Sequence, residues 1–307
     1  MKPSVGRTAV LTTAAMAAFA ANSLLCRAAL REPLIGAEAF TLVRVASGAA
    51  VLALLVAGRR GSPLARGGWA GATMLVLYAA GFSLAYRSLP AGTGALILFG
   101  TVQVTMLGWS VYRADGPRPR EWCGLVAATS GLVVLNLPAL AAPPLGGALL
   151  MAAAGVGWGA YSLIGRGSTD PLGDSAGNFV RGVPLAGVAA AAGWMLGAGG
   201  GGAAVPDAMM GSAAGGGANA LASATARGVG LAIASGALTS GVGYAIWYAA
   251  LRGLTRVRAG LIQLSVPVLA AAAGVVLLDE PISLGLVVAS ALILGGVAVA
   301  LVPRRGD

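Results

Sequence analysis

The chain has 307 residues, of which 57% are apolar and only 10% are charged, and its formal net charge is +10. Because a soluble globular protein carries about 25% charged residues, this chain cannot cover a water-facing surface of its size and is expected to be an integral membrane protein. Its arginines are scattered between apolar runs, which argues against a nucleic-acid partner, and with no histidine and no CxxC motif we expect neither a metal nor another cofactor.

Ten apolar runs are each long enough to cross a bilayer as a helix, which takes about 20 residues. The first run follows Lys2 and Arg7 and resembles a signal peptide, but it is long enough to span, so we interpret it as an uncleaved first span. The hydrophobicity is continuous rather than alternating, which excludes a β-barrel and predicts an all-α membrane protein with ten transmembrane helices. The predicted spans are residues 8–26, 37–57, 68–88, 91–112, 120–138, 145–165, 179–196, 228–251, 258–278 and 283–302.

The positive charges predict the orientation of these spans, because cytoplasmic segments carry an excess of Lys and Arg. With a cytoplasmic N-terminus, the inner segments hold 14 of the 20 basic residues and the outer segments hold 4, while Arg44 and Arg181 lie within spans. This bias predicts both termini in the cytoplasm and a location in the inner (plasma) membrane. A missed or additional helix would reverse the predicted side of every later segment and remove this bias.

The spans divide into two halves of five, residues 8–138 and residues 145–302. Because five is odd, the second half enters the membrane from the opposite side, so the halves are predicted to be inverted repeats, as in many secondary carriers. A hairpin at residues 78–106 recurs in variant form at residues 243–271. Further matches are Val43-Arg44 with Val180-Arg181, Tyr86 with Tyr248, and Gly131 with Gly296.

Residues 197–227 interrupt the second half with a run rich in Gly, Ala and Ser that has no helical stripe. Such a composition is typical of a flexible linker, and we predict a loop on the outer side between spans 7 and 8. A lid over the substrate is the alternative, but no residue of the segment indicates such a role.

Three stretches resemble EamA-type proteins of the drug/metabolite transporter superfamily. They are FSLAYRSLPAGTGALILFGTVQ at 82–103, GAYSL at 159–163, and GYAIWYAAL at 243–251 followed by QLSVPVLAAAAGVVLLDEPIS at 263–283. The chain departs from the family pattern in its long linker and at Asp279, where a glycine is more usual. The resemblance implies two EamA domains, ten helices, and export or exchange of small metabolites, amino acids or drugs.

Two arginines lie inside predicted spans, where an ionisable group is costly and is a functional candidate by default. Arg44 is about seven residues into span 2, and Arg181 is nearer the inner end of span 7. Snorkelling to the interface, for Arg44 with Glu38 as a partner, is the structural alternative. No Asp or Glu lies in the middle of a span, so we predict exchange or facilitated diffusion rather than coupling through a buried carboxylate.

The remaining candidates are uncharged polar and aromatic residues that interrupt the spans. Any one of the aromatics could instead be a packing or interfacial residue, but a group of them in mid-span is typical of a cavity lining that suits amphipathic or aromatic solutes. Asn22, Ser23 and Tyr78 belong to this wider set, and Pro267 is predicted to kink or hinge span 9 near Gln263. The predicted substrate-binding residues are Tyr86, Gln103, Trp158, Tyr161, Tyr244 and Gln263.

Three classes of function remain. A carrier for a small-molecule solute, embedded in the lipid bilayer, fits best; a membrane scaffold or sensor would be expected to append a soluble domain, and the inner loops are short. A membrane-embedded enzyme would need a metal cluster, a nucleophile with a base, or paired carboxylates, and none is evident. The sequence leaves monomer and homodimer open.

Overall fold

The structure, a computed structural model, describes residues 4–31, 34–86, 88–89, 91–114, 116–136, 144–199, 224–278 and 282–301. These residues form helices and connecting turns, with no strand in the described ranges. The helices are α1 Val5–Arg31, α2 Ala37–Ala57, α3 Trp69–Ala85, α4 Ala91–Tyr112, α5 Pro119–Asn136, α6 Leu145–Gly165, α7 Pro171–Gly199, α8 Ala226–Ala234, α9 Gly243–Leu251, α10 Arg256–Gln263, α11 Ser265–Leu278 and α12 Leu284–Leu301, with a π-helical segment Ser235–Val242 that joins α8 to α9.

Seven helical stretches of the described chain are long and apolar enough to cross a membrane. Helix α3 is as apolar but has 17 residues. The prediction of an all-α membrane protein is therefore confirmed over these ranges. The seven stretches are Val5–Leu30, Ala37–Ala57, Thr93–Tyr112, Leu145–Gly165, Ala226–Leu251, Arg256–Val276 and Leu284–Leu301.

The helix boundaries follow from local chemistry. Prolines stand at the start of α5 and α7, where a missing N–H costs nothing because the first turn has no carbonyl to bond. Thr225 and Thr255 cap α8 and α10, and each side chain accepts from a backbone N–H three residues on, which satisfies one of the open donors of the first turn.

Two irregularities divide what the sequence predicts as continuous spans. Helix α10 ends at Gln263 and α11 begins at Ser265, because Pro267 has no N–H to offer the Gln263 carbonyl four residues earlier. The π-helical segment between α8 and α9 contains Ser235, Thr239 and Ser240, whose hydroxyls all reach the Asn22 Oδ1 atom of α1. Both irregularities therefore lie beside the centre of the bundle.

The helices pack mainly in pairs that join the two halves of the chain. Helix α5 packs along α12, α2 along α7, α3 and α4 along α6, and α1 along α9 and α11. The α5–α12 contact is made backbone to backbone, since a Cβ on Gly296 would lie 2.6 Å from the Gly124 carbonyl oxygen. Close approach through small residues is the usual way in which helices associate in lipid.

Most predicted spans coincide with helices within a few residues, and those at 37–57, 91–112 and 145–165 match α2, α4 and α6. Helix α1 continues to Arg31 and α7 begins at Pro171, so both extend well past the predicted spans. Helix α7 also runs to Gly199, three residues into the predicted loop. The rest of that loop up to residue 223 and the Asp279-Glu280-Pro281 turn lie outside the described residues.

Candidate functional site

A central cavity of about 520 Å³ lies between the helices and is partly open. Its inner part is lined by Phe19 from the middle of α1, Trp158 from the second half of α6 and Tyr244 from the first turn of α9. The cavity extends from there to Tyr86 and Leu89 in the α3–α4 turn. The remaining lining residues are Asn22, Ser23, Leu24, Cys26, Arg27, Leu30, Tyr78, Phe82, Ala95, Leu98, Phe99, Leu135, Val266, Pro267, Ala270 and Ala271.

Packed aromatic rings form the inner wall of this cavity. The Trp158 ring centroid lies 5.1 Å from that of Phe19, 4.9 Å from Tyr78 and 4.7 Å from Tyr244. Nearer the α3–α4 turn, Phe82 packs edge-on to Tyr86 at 4.7 Å. Tilted and edge-to-face contacts of this kind hold the rings in place, so the cavity has a preformed apolar wall.

Arg44 of α2 lies behind two of these rings and is 1% exposed. Its Nη2 atom donates to the Tyr244 hydroxyl at 2.6 Å and reaches the Tyr78 hydroxyl at 3.5 Å, and its Nε atom donates to Ser240 Oγ at 2.8 Å. The side chain is therefore neither snorkelling to an interface nor bonded to Glu38. It ties α2 to α3, to the π-helical segment and to α9.

At the opposite end of α3, a group of bonds that we call the Arg66 latch joins the α2–α3 loop, the α6–α7 loop and the start of α7. Arg66 bonds to Asp174 at 3.4 Å and approaches Asp170 at 3.9 Å. The Asp174 carboxylate also accepts from the Gly67 N–H at 3.1 Å and from Ser168 Oγ at 2.5 Å. Because α3 runs from Gly68 to the cavity end at Tyr86, latch and cavity mouth lie at opposite ends of the bundle.

Arg181 belongs to the Arg66 latch. Its guanidinium donates to the Arg66 carbonyl at 2.8 Å and to the Leu64 carbonyl at 3.0 Å. A second ion pair at this end joins Arg258 and Glu121 at 3.5 Å. Although the predicted repeat matches Arg44 with Arg181, Arg44 lies behind the cavity wall and Arg181 holds a loop.

The structure places the predicted binding residues in two groups. Tyr86, Trp158 and Tyr244 line the cavity, whereas Tyr161 and Gln263 lie behind its wall. The Trp158 indole N–H donates to Gln263 Oε1, and Tyr161 packs against the Trp158 ring at 5.8 Å.

Gln103 has a different place. Its Nε2 atom donates to the Gly260 carbonyl at 2.7 Å and thereby joins α4 to α10, and Gln103 is not among the residues that line the cavity.

Sequence reasoning missed most of the apolar lining, including Phe19, Phe82 and Leu98. An apolar residue in an apolar span carries no signal that separates cavity from lipid, so these residues could not have been found. The expected uncharged lining also needs correction, because Arg27 lines the cavity. Arg27 is one of the four basic residues counted in the outer segments, because the sequence predicts that span 1 ends at residue 26, whereas α1 continues to Arg31.

Comparison with known proteins identifies the family. The model of the EamA-like transporter family matches residues 145–302, slightly more than half of the chain. The chain belongs to the EamA-like transporter family. The resemblance to EamA-type proteins seen in the sequence is thereby confirmed.

Two proteins are similar to this chain over almost its whole length. An uncharacterized protein of Pseudomonas aeruginosa is 48% identical over 301 residues, which cover 98% of this EamA-family chain and 96% of the relative. A solved crystal structure of a protein covers 96% of this chain and 97% of the other, with a TM-score of 0.72 and 19% identity. The second likeness shows that the fold is shared.

We expect Gln263→Leu to lower the free energy of unfolding by about 1–3 kcal/mol, because it leaves the buried Trp158 N–H without an acceptor. Thermal unfolding of the purified protein in detergent measures the loss. In the Trp158→Phe background the same substitution should cost clearly less, since the N–H is no longer there. Equal losses in both backgrounds would show that the bond contributes nothing to stability.

Proposed function

We propose that this EamA-family protein is a carrier that moves a small metabolite, amino acid or drug-like solute across the cytoplasmic membrane by alternating access, as an exporter or exchanger. The observation that carries the proposal is the central cavity, which extends to Tyr86 at one end of α3, while the Arg66 latch joins the loops at the other end. A site that is accessible from one side and closed on the other is one of the two states that such a carrier needs.

Ten membrane crossings are part of this proposal. The other three crossings are α3, α5 and α7, and each of these helices packs along one of the seven apolar stretches. Helix α3 packs along α6, α5 along α12, and α7 along α2. A helix that lies beside a membrane-crossing partner over most of its length crosses the same bilayer. At about 1.5 Å per residue, the 17 residues of α3 reach roughly 25 Å, which a locally thinned bilayer accommodates.

The packing supports an inverted repeat of residues 8–138 and 145–302. A two-fold axis in the membrane plane would exchange α2 with α7 and α5 with α12, and both of these pairs are in contact. It would also turn the contact between α3 and α6 into one between the α8–α9 region and α1, which is likewise present. Repeats of this kind offer two related conformations, one open to each side.

The proposed orientation has both termini in the cytoplasm. The Arg66 latch and the Arg258–Glu121 pair then lie on the cytoplasmic side, in agreement with the excess of arginine there, and the cavity faces outward. Cysteine tags at the two termini, labelled with an impermeant reagent in intact cells, test the orientation. Labelling of either terminus would contradict it.

A non-transporting scaffold or sensor and a membrane-embedded enzyme are the alternatives. Neither explains why a preformed cavity with aromatic walls lies between the helices. Within the described part of the chain, no group of three or more His, Cys, Asp or Glu residues could hold a metal ion. Transport therefore accounts best for the site, with a small-molecule solute and the lipid bilayer as partners and with a homodimer not required.

Solute flux into vesicles that contain the purified protein is the direct test. We expect Tyr86→Ala to lower flux because it removes part of the cavity wall, and Gln103→Ala to lower it because it releases α10 from α4. Both variants should insert into the membrane normally. Unchanged flux in both variants would remove these residues from the site.

The proposed exchange mechanism makes a separate prediction about Glu38, which lies in the first turn of α2. Flux should persist without a pH gradient, and Glu38→Gln should not abolish it, because no span carries a carboxylate near its middle. Uptake that is driven by a pH gradient and lost in Glu38→Gln would overturn exchange in favour of proton coupling.

A further inference from the structure

Arg44 is a buried cation whose partners are all uncharged. It contacts the hydroxyls of Ser240, Tyr78 and Tyr244, and its Cζ atom lies 5.4 Å from the centroid of the Tyr78 ring. Across the described residues, no carboxylate forms an ion pair with it. A buried charge is costly unless it is paired, and an unpaired arginine in a membrane-spanning bundle therefore needs an explanation beyond packing.

The hydrogen bonds of Arg44 are also incomplete. A guanidinium carries five N–H donors and no acceptor. The Nη1 atom of Arg44 is buried and has no hydrogen-bond partner among the described residues. Unsatisfied buried donors are rare in proteins and point to a strain, a function or a missing partner.

The two tyrosines in front of Arg44 carry its influence to the cavity surface. Both Tyr78 and Tyr244 line the cavity. A hydroxyl that accepts a hydrogen bond from arginine still has its own proton to donate, and Tyr244 accepts at 2.6 Å. The cavity is thus lined by two tyrosines whose hydroxyls contact a fixed positive charge, and an O–H donor beside such a charge stabilises a negatively charged oxygen.

Among the other described lining residues, the charged side chain is also positive. It belongs to Arg27, and the described lining contains no Asp or Glu. Phe19, Phe82 and Trp158 supply apolar faces beside the tyrosine hydroxyls. A volume of about 520 Å³ is within the usual range for sites that enclose an organic molecule.

We propose that the solute is an amphipathic organic anion, whose carboxylate or sulfonate accepts from the Tyr78 and Tyr244 hydroxyls against the charge of Arg44, while its apolar body packs on the aromatic wall. The transport of that solute rests on the proposed carrier function, whereas its binding does not. A cationic solute would meet the charge of Arg44 without a carboxylate among the described lining residues.

The first experiment uses the unmodified full chain and three probes that share a benzyl group. Phenylmethanesulfonate carries a permanent negative charge, benzyltrimethylammonium a permanent positive charge, and benzyl alcohol none. Titration of the thermal unfolding midpoint in detergent gives the affinity for each probe. We expect the sulfonate to bind at least about tenfold more tightly than either of the others, and equal or weaker binding of the sulfonate would overturn the proposal.

The second experiment removes the charge. Arg44→Gln should weaken binding of phenylmethanesulfonate about tenfold and leave the affinity for benzyl alcohol unchanged, a split that a merely structural role would not produce. Arg252→Gln is the matched control, because Arg252 is exposed at the end of α9 and its loss changes the net charge equally. If Arg44→Gln does not fold, Tyr244→Phe tests the same contact by removing the O–H donor, and an unchanged preference for the anion in the folded variant would overturn the proposal.

Flux measurements separate this inference from the carrier function. Binding of the sulfonate without flux of any probe into vesicles would refute transport and leave the anion site standing. Flux of benzyltrimethylammonium without binding of the sulfonate would keep the carrier and refute the anion site. The permanent charges of both ions prevent leakage through the lipid from imitating transport.

Discussion

Replacement of Gly296 by valine is expected to prevent recovery of folded protein, whereas the same change at the neighbouring Gly295 is expected to be tolerated. A Cβ at Gly296 would lie 2.6 Å from the Gly124 carbonyl oxygen and 2.8 Å from the Ala128 nitrogen. Both atoms belong to the backbone of α5 and cannot rotate away, so the helices must separate. Overpacking of this kind costs about 1–3 kcal/mol or more, and a backbone clash lies at the upper end.

Gly295 provides a control one residue away in α12. A Cβ there meets nothing within 4 Å, and valine on a lipid-facing position is favourable. Size-exclusion profiles and thermal unfolding in detergent compare the two variants at equal expression. Similar stability of both variants would show that α5 and α12 do not approach each other as closely as described.

Replacement of Asp174 by asparagine is expected to shift the protein away from the state in which the Arg66 latch is closed. The carboxylate holds Arg66, the Gly67 N–H and Ser168 together, while asparagine has a single oxygen and no charge. Because Arg66 is partly exposed, the loss is about 1–2 kcal/mol. A loss of that size changes the ratio of two states by roughly five- to thirtyfold.

Thiol labelling measures this shift. Ser23 lines the cavity, so Ser23→Cys, in a chain whose Cys26 and Cys123 are replaced by serine, reports access from the cavity mouth to an impermeant reagent. Labelling from the mouth should slow in Asp174→Asn. Arg59→Gln, an exposed change in the α2–α3 loop, is the control, and equal labelling in all three proteins would show that the latch does not govern access.

Much of the fold could be read from the sequence because the signal is simple. A membrane-crossing helix is a long apolar run, and spans 2, 4 and 6 could be placed to the residue. The irregularities were harder. Pro267 predicts a kink, but no residue of comparable meaning marks the π-helical segment Ser235–Val242. Its hydroxyls bond to Asn22, which lies more than 200 residues away in sequence.

The site could be predicted only in part, again because contacts between helices that are far apart in sequence leave no local pattern. Tyr86, Trp158 and Tyr244 line the cavity, and the sequence singles them out because aromatic and polar residues stand out in apolar spans. Whether a residue faces the cavity depends on which helix packs beside it. The sequence therefore could not show that Trp158 lines the cavity while Gln263 lies behind it and accepts its N–H. Nor could it separate Arg44 from Arg181, because both lie within predicted spans and each follows a valine.

The π-helical turn decides which face α9 presents. A π turn takes up one residue more than an α turn, and one residue corresponds to about 100° of rotation around a helix axis. Tyr244 and Trp247 therefore point where they do because of the extra residue, and an uninterrupted α-helix of the same sequence would turn them elsewhere. Shortening the Ser235–Val242 segment by one residue would convert the turn to α while keeping the two flanking helices in phase, so this is the one place in the span where a deletion leaves the direction of the side chains unchanged.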